Sequence, residues 1–176
     1  MERNRIYIAL GANLPGPDLS APRKTLVSAL SVLPAEKITV IATSPWYRSP
    51  AWPPSDQPDY VNGVARVASA LSPEAFLTAL HRIEAQFGRR RAEEPRYSAR
   101  PLDLDLIDWD GEVLTGQGGQ GPICPHPRMQ DRAFVLKPLL DIAPQEWRHP
   151  QSGLSAQALL NRLDDAQDTQ RLEAML

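Results

Sequence analysis

The sequence predicts an α+β fold: a ferredoxin-like βαββαβ core with extra C-terminal elements, in a three-layer α/β/α arrangement. Three observations predict it. Alternating, β-rich segments and segments of helical periodicity follow one another through residues 5–109 in the order β-α-β-β-α-β. The second and third strands are separated by a proline-rich loop and no helix, which favours antiparallel pairing; that order is the split βαβ pattern. The chain has 176 residues, 42% hydrophobic and 23% charged, enough for a single domain over 1–176 with a core of its own.

Each element has its own reason. Residues 5–10, RIYIAL, alternate and end at Gly11, a first strand. Residues 21–33 place Leu26, Val27, Leu30 and Leu33 at helical spacing after Pro22. KITVIATSPWYRS reads as a second strand broken near Pro45, and YVNGVARVAS, 60–69, as a third. The next segment is a helix with explicit ends: Ser72 as N-cap, Pro73 first, Glu74 in the first turn, Gly88 as stop. Its Phe76, Leu80, Ile83 and Phe87 form one apolar stripe, with His81 and Glu84 three apart on its flank. A fourth strand covers 102–109. Asp108 and Asp110 read as turn residues after it, and the Gly-rich stretch 116–121 as a turn. Mixed structure is expected to about 145, then one or two polar helices over 154–176.

Composition narrows the function classes. A formal net charge of −2 gives no global reason to bind nucleic acid or an anionic membrane, so neither partner is expected. Cys124 is the single cysteine, which rules out an internal disulfide and a Cys-based zinc site. The start, MERNRIYIAL, lacks a signal-type apolar stretch, and no run of about 20 apolar residues occurs, so a cytoplasmic location is expected.

The chemistry concentrates in RPLDLDLIDWDG, residues 100–111. In a strand, Asp103 and Asp105 share a face about 6.5–7 Å apart along the chain, while Leu102, Leu104 and Leu106 take the core side. Taken alone, such a pair reads as the solvated side of a strand. Two close carboxylates nonetheless repel unless a cation sits between them, and Mg²⁺ takes one or two carboxylates plus water and phosphate oxygens. Just upstream, GRRRAEEPRYSARP holds Arg89, Arg90, Arg91, Arg96 and Arg100 and no lysine. Guanidinium groups offer a fixed fork of donors to phosphate and cannot lose their charge. An arginine loop running into an aspartate pair is what a polyphosphate site requires.

With these residues the chain resembles the 6-hydroxymethyl-7,8-dihydropterin pyrophosphokinase family of folate biosynthesis. The stretch from Arg100 through Asp103 and Asp105 to Ile107 carries the resemblance, supported in order by LGANL (10–14), YRSP (47–50), DQPDYVN (56–62), RIEAQFGRRR (82–91) and PHPRMQDRAFVLKPLLDIAP. The resemblance implies transfer of a pyrophosphoryl group from ATP, the cosubstrate, to a pterin hydroxymethyl oxygen, with AMP released, and leans to a monomer or loose dimer. It implies that Asp103 and Asp105 hold two Mg²⁺ ions and that Arg89 and Arg100 bind phosphate and stabilise the transition state. Toward ATP it implies His81, Glu84, Leu106, His126 and Arg132, with Arg91 and Arg96 on a loop that closes over the nucleotide. Toward the pterin it implies Ser49, Pro50 and Trp52 in the substrate loop, Tyr60 and Phe134 as the two rings that sandwich it, and Asn62 reading its amide edge. A flat heteroaromatic ring does need aromatic faces and a few fixed polar partners.

The chain departs from the family pattern at Ala12, Pro15, Ala51, Tyr97 and Pro127, and one extra residue stands between Arg91 and Arg96. Trp46 and Trp52 each offer an aromatic cover for the pterin or a packing residue. Two rivals remain at this stage: a small RNA-binding module, and another Mg²⁺-dependent phosphoryl or nucleotidyl transferase.

Overall fold

A computed structural model describes residues 3–14, 21–90, 98–117, 120–164 and 167–173. The strands are β1 (Arg3–Ala12), β2 (Thr39–Thr43), β3 (Tyr47–Ser49), β4 (Tyr60–Ser69), β5 (Asp103–Trp109), β6 (Leu114–Gln117), β7 (Gln120–Cys124) and β8 (Gln170–Arg171). The helices are α1 (Pro22–Val32), α2 (Pro73–Gln86), α3 (Ala133–Ile142) and α4 (Ala156–Leu160). The expected break at Pro45 divides the second strand into β2 and β3, which both pair antiparallel with β4.

The main sheet has the order β5-β1-β4-β3-β8, with β2 also on β4, and every pairing in it is antiparallel. The inner strands β1 and β4 bury both faces, so they read as apolar almost throughout. On one face Ile6, Ile8, Leu10, Val67, Leu104 and Leu106 meet Leu26 and Ala29 of α1 and Phe76, Leu80 and Ile83 of α2. On the other, Tyr7, Val64 and Ile107 meet Met129, Val135, Leu136 and Leu139 of α3 and Leu159 of α4. Helix α2 begins where the sequence places it: Ser72 accepts the Ala75 N–H at 3.2 Å, and Gly88 leaves the helix at φ 90°. Left-handed φ is a conformation that glycine adopts without steric penalty.

The register of β5 contains one irregularity that matters. Tyr7 pairs with Asp108, but Ile8 pairs with Leu106, so Ile107 is an extra residue in β5. The bulge keeps Asp108 on the same face as Asp103 and Asp105. This corrects the reading of Asp108 as a turn residue: it belongs to β5, is 2% exposed, and accepts from the Trp147 indole at 2.7 Å and the Gly111 N–H at 2.8 Å. Asp110 does occupy the turn, at φ 55°, facing Arg3 and Arg5.

Two further expectations change. Of the Gly-rich stretch, Gly116 and Gly121 lie in the paired strands β6 and β7, where Leu114 stands opposite Cys124 and Thr115 opposite Ile123, and residues 118–119 lie outside the described residues. Among the described residues the C-terminal region holds only the five-residue α4 and then β8, which adds to the edge of β3. No described helix is long and apolar enough to cross a membrane.

Candidate active site

A cavity of ≈ 410 Å³ opens where the ends of β1, β4 and β5 meet the start of α3. Its floor is set by strand register. Gly11 pairs with Asp103 and Ala9 with Asp105, so small residues of β1 stand beside both carboxylates. A side chain at Gly11 would begin 3.2 Å from Asn62 Oδ1, 3.8 Å from the Tyr60 ring and 4.0 Å from Asp103 Cβ. The three groups converge because this position has no side chain.

Asp103 is gripped by two guanidinium groups. Arg89 donates to Oδ1, and Arg100 Nη1 donates to Oδ2 at 3.0 Å. Arg89, 8% exposed on its side chain, also donates to Glu84 Oε1 at 2.5 Å. Burial alone would lower the Arg89 pKa, but Asp103 and Glu84 outweigh it and raise the group above its ordinary value. Glu84 itself is 0% exposed and its Oε1 accepts the Leu104 N–H at 2.8 Å, tying α2 to the strand between the two aspartates. Arg100 is held by Asn13: its N–H donates to Asn13 Oδ1 at 2.8 Å, and its carbonyl accepts the Asn13 N–H at 3.1 Å. The Asn13 amide reaches on to Gln57 and the Pro58 carbonyl.

Asp105 faces His126 Nε2 at 3.8 Å and Arg132 Nη1 at 3.5 Å. Desolvation and then the Asp103 charge push its carboxyl above the usual range. Desolvation lowers the His126 pKa, with Asp105 opposing. The His126 Nδ1 accepts the Arg128 N–H at 3.1 Å, so the neutral ring carries its proton on Nε2, toward Asp105. Four guanidinium groups, Arg89, Arg100, Arg128 and Arg132, thus line a cavity with two carboxylates and a neutral imidazole. That excess of positive charge suits a polyanion.

The remaining wall is aromatic and amide. Tyr60 and Asn62 come from β4, Phe134 from α3, and Ser49, Pro50 and Trp52 from β3 and the loop after it. Asn62, 5% exposed, donates to Ser49 Oγ at 2.9 Å, which fixes its amide plane. Burial raises the Tyr60 pKa, so the phenol stays protonated. The Arg132 guanidinium lies 5.5 Å from the Phe134 ring centroid, within cation–π range. Trp52 is 40% exposed at this wall, whereas Trp46 packs against the core, with Gly63 leaving room for its ring.

The sequence points to seventeen residues at one site; fifteen of them are described, and twelve of these line the cavity. His81, Glu84 and Leu106 do not line it: His81 is half-buried on α2, Glu84 lies beneath Arg89, and Leu106 belongs to the core. Arg91 and Arg96 lie outside the described residues. Arg128, Gln57 and Gly11 line the cavity without having been singled out as site residues. Asn13 belongs to the LGANL stretch, but its bonds to Arg100 are tertiary and no spacing reveals them.

For a cation, Asp103 and Asp105 are the acids lining the cavity, and no cluster of three or more His, Cys, Asp or Glu occurs among the described residues. Two carboxylates fit Mg²⁺, whose other ligands are ordinarily water and phosphate oxygens.

The chain is similar to known proteins along most of its length. A family model described as 7,8-dihydro-6-hydroxymethylpterin-pyrophosphokinase (HPPK) matches residues 7–144. A 2-amino-4-hydroxy-6-hydroxymethyldihydropteridine pyrophosphokinase of Synechocystis is 40% identical over 158 residues, covering 89% of this chain and 75% of the relative. One of the same name from Pseudomonas aeruginosa is 41% identical over 143 residues, covering 80% of this chain and 81% of its own. Among solved structures, the Plasmodium falciparum HPPK-DHPS triple mutant with SDX-DHP matches 90% of this chain with a TM-score of 0.66 at 12% identity. This chain spans 44% of that protein, and the likeness concerns the fold alone.

Proposed function

The chain belongs to the 7,8-dihydro-6-hydroxymethylpterin-pyrophosphokinase family, and from that membership we propose how the residues of the cavity divide its work. The enzyme transfers pyrophosphate from ATP to 6-hydroxymethyl-7,8-dihydropterin in folate biosynthesis. The hydroxymethyl oxygen forms a bond to the β-phosphorus, the bond from that phosphorus to the α-bridging oxygen breaks, and AMP leaves with the bridging oxygen. The hydroxyl proton is lost to solvent or to a phosphate oxygen.

One observation supports the assignment most: a carboxylate pair framed by guanidinium groups shares a cavity with an aromatic and amide wall. In our reading the triphosphate lies along Asp103, Asp105 and the arginines, and the pterin lies against Tyr60, Phe134 and Asn62. Bound Mg²⁺ would neutralise phosphate charge there, held by Asp103 and Asp105. Arg89 and Arg100 keep Asp103 in place and face the charge that develops on the transferred group. His126 and Arg132 contact the nucleotide from the opposite side, and Ser49, Pro50 and Trp52 border the pterin. His81 and Glu84 act from behind this surface. Arg91 and Arg96 would add their charges when the arginine-rich segment closes over ATP and excludes water.

We further read the β5-β1-β4-β3 order as the ferredoxin-like split pattern, with helix pairs on its two faces as the outer layers. A single domain over 1–176, acting as a cytoplasmic monomer on small molecules, completes the proposal.

The metal role is tested with Asp103→Asn and Asp105→Asn. Each is expected to lower AMP formation about a hundredfold or more while far-ultraviolet circular dichroism stays unchanged. Near-normal rates in both variants across a Mg²⁺ titration would remove the pair from the mechanism.

A further inference from the structure

The family match stops at residue 144, but the chain continues to 176. Residues 167–173 return to the walls of the cavity from outside it. Gln167 Oε1 accepts the N–H of Ala133 at 2.9 Å, and Gln167 Nε2 donates to the Asp131 carbonyl at 2.8 Å. Ala133 opens α3, and the N-cap residue, Arg132, makes no side-chain cap bond of its own. The first N–H groups of a helix have no partner within it. Gln167 therefore supplies, from 34 residues further along the chain, what a local Ser or Asp supplies elsewhere.

The same segment is anchored at its other end. The Thr169 carbonyl accepts from Lys137 Nζ at 2.7 Å, Gln170 and Arg171 pair with Arg48 and Tyr47 of β3, and the Leu172 N–H donates to the Trp46 carbonyl at 2.8 Å. Tyr47 in turn donates to Asp141 of α3 at 2.7 Å. The tail thus ties the first turn of α3, which carries Arg132 and Phe134, to β3, which carries Ser49. Both elements line the cavity.

We propose that Gln167 is a positioning residue for pyrophosphoryl transfer, fixing the first turn of α3 so that Arg132 and Phe134 face their substrates. The inference rests on the site reading given above. It acts through the helix start and touches no substrate.

The test compares Gln167→Ala and Gln167→Glu with the wild-type chain at a temperature well below all three melting transitions. The alanine variant is expected to lose about tenfold in kcat/KM for the pterin, with faster hydrogen exchange at the Ala133 amide. The glutamate variant keeps the acceptor for Ala133 but loses the donor to the Asp131 carbonyl, so it is expected to recover part of that loss. Unchanged kcat and KM in Gln167→Ala, with or without a lowered melting temperature, overturns the inference, as does an equal loss in both variants. An Ala133 amide that exchanges freely in the wild type overturns it too, whatever the variants do. A wild-type chain that releases no AMP sinks the site reading and this inference together; wild-type turnover beside an unaffected alanine variant sinks this inference alone.

Discussion

At Gly11 an absent side chain decides how close three others come. A methyl group there would sit 3.2 Å from Asn62 Oδ1, tighter than ordinary contact, so the amide that donates to Ser49 has to shift. Gly11→Ala is expected to raise the KM for the pterin several-fold while changing the melting temperature little, because the crowding falls on the site and not on the core. Steady-state kinetics beside a thermal melt checks it, and an unchanged KM would show that Asn62 is not held in place by this contact. The legibility of residues varies for the same physical reason. Asp103, Asp105 and Arg100 are close in sequence, so their meeting is visible in a strand pattern. Helical spacing puts Glu84 on the flank of the α2 stripe, yet it is fully buried. It follows Leu80 by one helical turn, so a charged residue on the apolar stripe was itself the signal that it holds something in place. Nothing local marks Asn13, whose partners lie 44, 45 and 87 residues away.

Element boundaries were readable where the chain punctuates itself, as at Ser72, Pro73 and Gly88 of α2 and at Pro45 between β2 and β3. They were not readable at Gly116 and Gly121, which suggest a turn but lie in β6 and β7. The bulge at Ile107 was hidden too, because bulges depend on the partner strand. Its consequence is a buried contact: Asp108 takes the Trp147 indole N–H, fastening the segment after α3 to the C-terminal end of β5. His149 follows two residues later, 3% exposed, with Nδ1 accepting the Ser152 N–H at 3.2 Å. Burial lowers its pKa, with Asp108 opposing. The unfolded chain therefore binds the proton more readily, at an imidazole pKa of about 6.5. The stabilisation is complete above that value and is lost as pH falls through the lower folded pKa. The melting-temperature advantage of the wild type over His149→Gln is expected to shrink between pH 8 and pH 5. An advantage that stays constant or grows on acidification would contradict the neutral, buried ring.

At the scale of the whole molecule, a chain of net charge −2 gathers four arginines around one cavity. Composition gives no global reason for a nucleic-acid partner and could not locate this concentration, since the arginines come from the segment after α2, the loop before β5 and the turn before α3. The β-α-β-β-α-β order was legible because period and punctuation agree through residue 109. The C-terminal part was not, because its structure comes from contacts with α3 and β3 and not from its own pattern. The central claim is that these elements assemble a site for pyrophosphoryl transfer to a pterin. The most direct measurement incubates the purified chain with ATP and Mg²⁺, with and without 6-hydroxymethyl-7,8-dihydropterin, and separates the nucleotide products. AMP formed only when the pterin is present, in equal amount to the pterin diphosphate, is the predicted result. ADP as the product, or AMP release indifferent to the pterin, would contradict it.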